Sequence, residues 1–133
     1  MNTKDPASRI QDLLQFGEFG GVNPSITDSS TFTFMKAETM EETFHGEAEG
    51  CFLYSRHWNP SNLYLADAMA AMEGTPAGWV TASGMAAITS VILQLCQSGD
   101  HIVSSMTTYG GTFAFLRNYL PKFNISVDFV NIE

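Results

Sequence analysis

The feature that most restricts the fold of this chain is an alternation of short apolar segments and helical segments from residue 78 onward. The apolar segments AGWVTA, HIVSS and SVDFVNI have the length and composition of strands. They are separated by GMAAITSVILQLC and YGGTFAFLRNYL, which have those of helices. Strands and helices in this order, joined by short connections, are typical of a parallel sheet with helices packed on it. We therefore predict an α/β fold.

The residues before position 60 follow a different pattern. Asp5 followed by Pro6 is typical of a helix start, and we predict that this helix ends at Gly17. The Gly-, Ser- and Thr-rich stretch after it predicts an extended arm, which has no obvious partner within the chain. A short helix is expected over 37–45.

Two further helices are predicted around the middle of the chain. SNLYLADAMAAMEG predicts one with Ser61 as its N-cap and Gly74 as its stop. GMAAITSVILQLC is apolar on nearly all faces, which predicts burial on more than one side.

Composition excludes several classes of function. Six Lys and Arg against 14 Asp and Glu give a net charge of -8, whereas a nucleic-acid surface or a surface for anionic membranes needs a basic patch. The three histidines and two cysteines lack the spacing of a metal site, so we expect no metal.

Cysteine content and the first residues bear on location. Two cysteines do not form a disulfide framework, and the first residues lack the apolar segment of a secretory signal, so we expect a cytoplasmic protein.

A candidate anion site lies where the first predicted strand meets its helix. Ser83 is a plausible N-cap, and it would leave the backbone N–H groups of Gly84 and Met85 unpaired at the positive end of the helix dipole. Such a site suits a phosphate. Taken alone, a Ser-Gly pair is more often an ordinary connection between a strand and a helix than an anion site.

Two other groups could serve a ligand. Tyr109 follows the second predicted strand, and its ring could stack on a planar molecule, although a core tyrosine is the plainer interpretation. Tyr54 and Arg56, two positions apart, would point to one side of an extended segment and suit a phosphate or carboxylate. An arginine stacked beside aromatic residues on the surface is the commoner case.

Together these residues resemble a known family. YSRHWNPSNLYLADAMAAMEGTPAG, SGMAAI, SGDHIVSS and YGGT, in that order, are similar to the cysteine and methionine metabolism family of pyridoxal-phosphate enzymes. The family includes cystathionine gamma-synthase, cystathionine lyases, methionine gamma-lyase and O-acetylhomoserine sulfhydrylase. The resemblance runs from about residue 20 to the end. It implies an aspartate aminotransferase-like large domain of fold type I.

The resemblance also implies roles for individual residues. Gly84 and Met85 match the amides that hold the phosphate of pyridoxal 5'-phosphate. Tyr109 matches the tyrosine that stacks on the pyridine ring and takes part in proton transfer. Tyr54 and Arg56 match a pair that binds the phosphate in a neighbouring subunit, in dimers that usually pair into tetramers.

The resemblance implies that the chain is the N-terminal portion of such an enzyme. Residues 1–60 would form an N-terminal helix and arm for subunit contacts, and residues 61–133 the first part of the cofactor-binding domain. The lysines present, Lys4, Lys36 and Lys122, do not match the family's Schiff-base lysine. The aspartate for the pyridinium nitrogen and the arginine for the substrate carboxylate are absent as well.

Function is therefore expected to reside in the longer polypeptide, as a lyase or transferase acting on sulfur amino acids or activated homoserine. Gly111 stands where methionine gamma-lyases typically carry Cys, which favours the other members. The alternative from another class is a non-catalytic fragment that folds only with partner chains. A nucleotide-binding domain is disfavoured, because HIVSSMTTYG has no acidic residue to bind a ribose.

Overall fold

Residues 5–11, 20–48 and 50–132 are described by the structure, which is a computed structural model of the chain. The chain divides into two units, Met1–Val80 and Thr81–Glu133. The first unit contains the helices α1 (Pro6–Gln11), α2 (Ala37–His45) and α3 (Pro60–Glu73). The second contains α4 (Gly84–Leu95), β1 (His101–Ser105), α5 (Gly110–Ala114), a π-helical turn (Phe115–Tyr119), a 3-10 turn (Leu120–Phe123) and β2 (Ser126–Val130).

The second unit is built on two parallel strands. β1 and β2 pair in register from His101 opposite Ser126 to Ser105 opposite Val130. The connection between them is the helical segment from α5 to the 3-10 turn, as expected for parallel strands. Its core consists of Leu116, Leu120 and Ile125, against which partly buried residues pack: Ile92, Cys96, Ile102, Phe115, Val127 and Phe129.

The two N-terminal helices begin where the sequence predicts. In α1, the carboxylate of Asp5 accepts hydrogen bonds from the amides of Ala7 (3.0 Å) and Ser8 (3.3 Å). The hydroxyl of Ser8 donates to the same carboxylate and lowers the pKa of Asp5. The predicted end at Gly17 lies outside the described residues. The predicted helix over 37–45 is confirmed by α2.

The third helix corrects one prediction. The N-cap of α3 is Asn59 and not Ser61, because Pro60 occupies the first helical position and Asn59 Oδ1 accepts the amide of Ser61 at 2.8 Å. The predicted stop is confirmed, since Gly74 adopts a left-handed conformation with φ 69°.

The predicted strand over 78–82 is wrong for this chain. A strand needs a neighbour for its ladder of hydrogen bonds, and in the described sheet β1 and β2 pair only with each other. The segment instead runs against α3: a Cβ atom on Gly78 would lie 2.5 Å from the carbonyl oxygen of Ala66. The small side chains of α3, such as Ala66 and Ala70, permit this close approach.

The predicted burial of α4 is also not observed. None of its residues is buried, and Val91 and Leu95 are 58% and 74% exposed. One side of the helix packs on the core of the second unit through Ile92, and Cys96 follows it there as the C-cap. The other apolar faces are not covered by any of the described residues. A helix that is apolar on several faces is normally buried on several sides, so we expect further elements to pack on α4.

The arm has a partner within its own unit, contrary to the expectation from the sequence. Thr31 forms an isolated antiparallel bridge with Tyr54, and the amide of Ser55 donates to the carbonyl of Ser30 at 2.9 Å. The amide of Thr27 donates to the hydroxyl of Ser61 at 2.8 Å. The arm is therefore tied by hydrogen bonds to the segment that carries Tyr54.

Candidate functional site

The start of α4 leaves two backbone amides without partners. The hydroxyl of Ser83 accepts the amide of Ala86 at 3.0 Å, and the carbonyl of Ser83 accepts that of Ala87 at 3.0 Å. For Gly84 and Met85, the first two residues of the helix, the described part of the chain offers no acceptor. These are the two N–H groups that the capping pattern predicts to be free, and they stand at the positive end of a 12-residue helix.

The space in front of this helix start is open. A Cβ atom built on Gly84 would meet nothing within 4 Å. An anion can therefore approach the backbone closely, which a larger side chain would hinder. No acidic residue lies in the first turn of α4 to compete for the amides.

Tyr109 lies beside this helix start. It directly precedes α5 in the loop that leaves β1, and its side chain is 73% exposed, so the ring is not turned into the core. A Cβ atom built on Gly111 would lie 2.7 Å from Cε1 of Tyr109 and 3.2 Å from the sulfur of Met85. The phenol ring and the Met85 side chain therefore converge over the same glycine.

A hydrogen bond from α5 holds Met85 in this position. The hydroxyl of Thr112 donates to the Met85 sulfur at 3.6 Å. The bond joins the second residue of α4 to α5, so the free amides and the phenol belong to one local arrangement. In that arrangement a phosphate on the amides and a planar ring beside Tyr109 would be neighbours.

Tyr54 and Arg56 lie in the first unit and are close to each other. The guanidinium carbon of Arg56 is 5.1 Å from the centroid of the Tyr54 ring. The predicted extended conformation of this segment is wrong: it is a turn, because the amides of His57 and Trp58 both donate to the carbonyl of Tyr54. In this chain the arginine stacks on the aromatic ring, and both side chains are exposed.

These two residues stand at the edge of an apolar cleft of about 730 Å³. The cleft is formed between the arm, α2 and the turn that carries Tyr54 and Arg56. Its lining is mainly aromatic and aliphatic: Thr31, Phe32, Phe34, Met40, Phe44, Leu53, Tyr54, Arg56 and His57.

Sequence reasoning missed Asn59, which supports the turn. It is 6% exposed, and its side-chain amide donates to the carbonyl of Thr27 (3.2 Å) and the hydroxyl of Ser55 (2.8 Å). Together with its N-cap bond, these contacts join the arm, the turn and α3. An Asn directly before a Pro at the start of a helical segment is the signal that could have identified it.

Two features are absent from the described residues. They contain no group of three or more His, Cys, Asp or Glu side chains placed to hold a metal ion. None of their helices is long and apolar enough to cross a membrane.

Comparison with known proteins decides the family. The model of the Cys/Met metabolism PLP-dependent enzymes matches residues 9–133. The chain belongs to this family. The resemblance of its four ordered motifs is thereby confirmed, and with it the pyridoxal-phosphate dependence that defines the family.

Individual relatives agree with this assignment. The chain is 51% identical over 133 residues to the methionine gamma-lyase of Arabidopsis thaliana, covering 96% of this chain and 30% of the relative. It is 35% identical over 113 residues to the O-succinylhomoserine sulfhydrylase of Pseudomonas aeruginosa, covering 85% of this chain and 27% of that protein. The chain thus spans less than a third of the length of these relatives.

A solved structure confirms the fold. A putative O-acetylhomoserine (thiol)-lyase of Campylobacter jejuni, solved with N'-pyridoxyl-lysine-5'-monophosphate, superposes with a TM-score of 0.87 at 27% identity, over 98% of this chain and 32% of that one. The predicted α/β architecture, with its parallel sheet, is thus that of the N-terminal part of a pyridoxal-phosphate enzyme of this type.

Proposed function

We propose that the full-length protein is a pyridoxal-phosphate-dependent lyase or transferase that acts on a sulfur amino acid or an activated homoserine. The observation that carries the proposal is the pair of free amides at Gly84 and Met85 beside the exposed ring of Tyr109. Membership of the family, whose relatives include enzymes of both kinds, supports it.

In this proposal the start of α4 binds the cofactor phosphate. The amides of Gly84 and Met85 donate to phosphate oxygens, and the helix dipole favours the negative charge. Because Ser83 satisfies the Ala86 amide, the cap fixes which two donors remain available. The residues present fit the group, since the space in front of Gly84 is open.

Tyr109 would form one face of the cofactor site and take part in proton transfer. Its exposed ring can stack on the pyridine ring, and its hydroxyl can donate or accept a proton at the substrate. When bound, the cofactor supplies an electron sink for carbanion chemistry. The lysine, aspartate and substrate-binding arginine of such a site would come from the remainder of the polypeptide.

Tyr54 and Arg56 are proposed to bind the cofactor phosphate of a neighbouring subunit. Both side chains are exposed and adjacent, and a guanidinium suits a phosphate. This role requires an oligomer in which each site is shared between two subunits. We propose, as separate expectations from the family resemblance, that the oligomer is a homotetramer and that it is cytoplasmic.

Among the reactions of the family, elimination from methionine is the first candidate. The support is the 51% identity to a methionine gamma-lyase. The residue at position 111 is evidence against this reaction, because methionine gamma-lyases typically carry Cys where this chain has Gly111. Trans-sulfuration, through synthesis or cleavage of cystathionine, is an alternative. Gly111 disfavours methionine gamma-lyase but does not distinguish trans-sulfuration from sulfhydrylation.

The proposal is tested on the full-length protein. We expect a visible absorbance band from the bound cofactor that borohydride reduction removes, and release of a 2-oxo acid from methionine or cystathionine. A protein that binds no pyridoxal phosphate would contradict the proposal. Cofactor binding with turnover of cystathionine but not methionine would overturn the order of the two reactions.

A further inference from the structure

Asn59 is the only buried polar residue in the described part of the chain, with 6% of its surface exposed. A buried amide is tolerated when its hydrogen-bonding groups have partners. Its Oδ1 accepts the amide of Ser61 at 2.8 Å. Its Nδ2 donates to the carbonyl of Thr27 at 3.2 Å and to the hydroxyl of Ser55 at 2.8 Å. Because the oxygen faces a donor and the nitrogen faces two acceptors, the side chain is held in one orientation.

Capping of α3 explains only one of these three bonds. An Asp or a Ser at this position would accept the Ser61 amide as well as Asn does. Neither of them has a nitrogen that donates two hydrogen bonds. The two bonds from Nδ2 therefore point to a second role of Asn59, on the side of the arm and the turn.

The shorter of these two bonds reaches Ser55, which lies between Tyr54 and Arg56. The hydroxyl of Ser55 accepts from Asn59 and donates to the carbonyl of Ser29 in the arm. Tyr54 and Arg56 are both exposed, so their position depends on the backbone that carries them and on the hydrogen bonds that support it. Ser55 is the point at which this backbone is held from two sides.

We propose that Asn59 is a positioning residue: through the hydroxyl of Ser55, it fixes the turn that presents Tyr54 and Arg56, and thereby raises their affinity for the phosphate of pyridoxal phosphate. The inference rests on the proposed function in one respect, which is the binding of that phosphate by the two side chains. The hydrogen bonds that hold the turn do not depend on it. Asn59 acts on the exposed pair as outer residues act on the metal ligands that they orient.

Two substitutions separate the cap from the positioning role. Asn59→Asp and Asn59→Ser both keep an oxygen that accepts the Ser61 amide, so the start of α3 is retained. Both remove the nitrogen that donates to Thr27 and Ser55. Ser61→Ala is the control, because it removes only the bonds between its own hydroxyl and the arm.

The first test is hydrogen exchange in the cofactor-free, full-length protein, measured by mass spectrometry on segments that contain Ser55 or Ser61. The amide of Ser55 donates to the carbonyl of Ser30 at 2.9 Å, and we expect its segment to exchange faster in both Asn59 variants. The segment of Ser61 should keep its protection, because the cap remains. Unchanged exchange at Ser55 in both variants, or equal acceleration in both segments, would overturn the positioning role.

The second test is cofactor affinity, measured by equilibrium dialysis of the full-length protein. Both Asn59 variants should raise the dissociation constant for pyridoxal phosphate by about fivefold, the change that corresponds to one lost hydrogen bond. Ser61→Ala should leave this constant unchanged. The loss of activity in the Asn59 variants should be confined to low cofactor concentrations, because excess cofactor fills the sites. Unchanged affinity in both variants, or a loss that excess cofactor does not restore, refutes the inference.

The two proposals can fail separately. A full-length protein that does not bind pyridoxal phosphate refutes the proposed function, and hydrogen exchange at Ser55 still decides whether Asn59 holds the turn. A protein that binds the cofactor equally well in all variants refutes the positioning role alone.

Discussion

At the scale of single residues, the candidate site depends on groups that are left without partners. Ser83 satisfies one amide of the first turn of α4 and leaves those of Gly84 and Met85 free. This could be predicted from the sequence, because capping is a local rule that links a side chain to residues two or three positions later. The contact of Tyr109 with Gly111 could not, because it depends on how the tyrosine side chain turns back over its own helix.

The phenol of Tyr109 is expected to matter for turnover more than for cofactor binding. Tyr109→Phe keeps the ring for stacking and removes the proton donor, so kcat of the full-length enzyme should fall by more than about tenfold. Tyr119→Phe is the matched control, since that ring is also exposed and stacks beside Phe115, with the Lys122 ammonium over it. Steady-state kinetics and the cofactor absorbance band separate the two effects. Near-normal turnover of Tyr109→Phe would rule out a role in proton transfer.

The guanidinium of Arg56 is expected to matter for cofactor retention. Arg56→Ala should raise the dissociation constant for pyridoxal phosphate, because a charge-assisted contact to the phosphate is lost. Arg117→Ala is a suitable control: Arg117 is also exposed and stacks on an aromatic ring, with its guanidinium carbon 5.6 Å from the Phe113 centroid. Equilibrium dialysis of the full-length protein measures both. Equal cofactor affinity in the two variants would speak against phosphate binding by Arg56.

At the scale of helices and strands, helix ends could be predicted from nearby residues, whereas strand formation depends on distant parts of the chain. The start of α1 follows from Asp5 and Pro6, and the end of α3 follows from Gly74, each through residues only a few positions apart. The predicted cap of α3 is wrong because Ser61 and Asn59 are both good capping residues, and the position of Pro60 distinguishes them. The segment over 78–82 has the composition of a strand, but composition cannot supply the neighbouring strand that it needs.

The correct cap of α3 can be tested by a pair of substitutions. Asn59→Ala removes the cap and the two bonds to the arm and the turn, and should lower the free energy of unfolding by about 1–2 kcal/mol. Ser61→Ala removes the bonds of one hydroxyl to the arm and should cost less, because the cap remains. Urea unfolding of the full-length protein compares them. A larger loss of unfolding free energy for Ser61→Ala than for Asn59→Ala would indicate that Ser61 is the N-cap.

The contact between Gly78 and α3 predicts a specific steric effect. A methyl group at position 78 would meet backbone atoms of Ala66, which cannot rotate away as a side chain can. Gly78→Ala should therefore lower the free energy of unfolding by about 1–3 kcal/mol. Gly110→Ala, with open space around its Cβ, serves as the control in the same thermal and urea unfolding experiments. Equal stability of the two variants would mean that the 78–80 segment does not lie against α3.

At the scale of the whole molecule, the described residues form only part of a larger pattern. The chain covers 30% of the length of the methionine gamma-lyase of Arabidopsis thaliana. The apolar faces of α4 that lack cover are consistent with a helix that belongs inside a larger domain. The α/β class could be predicted because the alternation of segments is present within 55 residues, whereas burial depends on which elements surround each helix.

The central claim is that the amides of Gly84 and Met85 hold the phosphate of pyridoxal phosphate while Tyr109 lies against its ring. The most direct measurement is a crystal structure of the full-length protein with the cofactor bound. We expect phosphate oxygens within about 2.7–3.2 Å of both amide nitrogens and the Tyr109 ring stacked on the pyridine ring. A phosphate bound elsewhere, or amides occupied by protein groups, would contradict it.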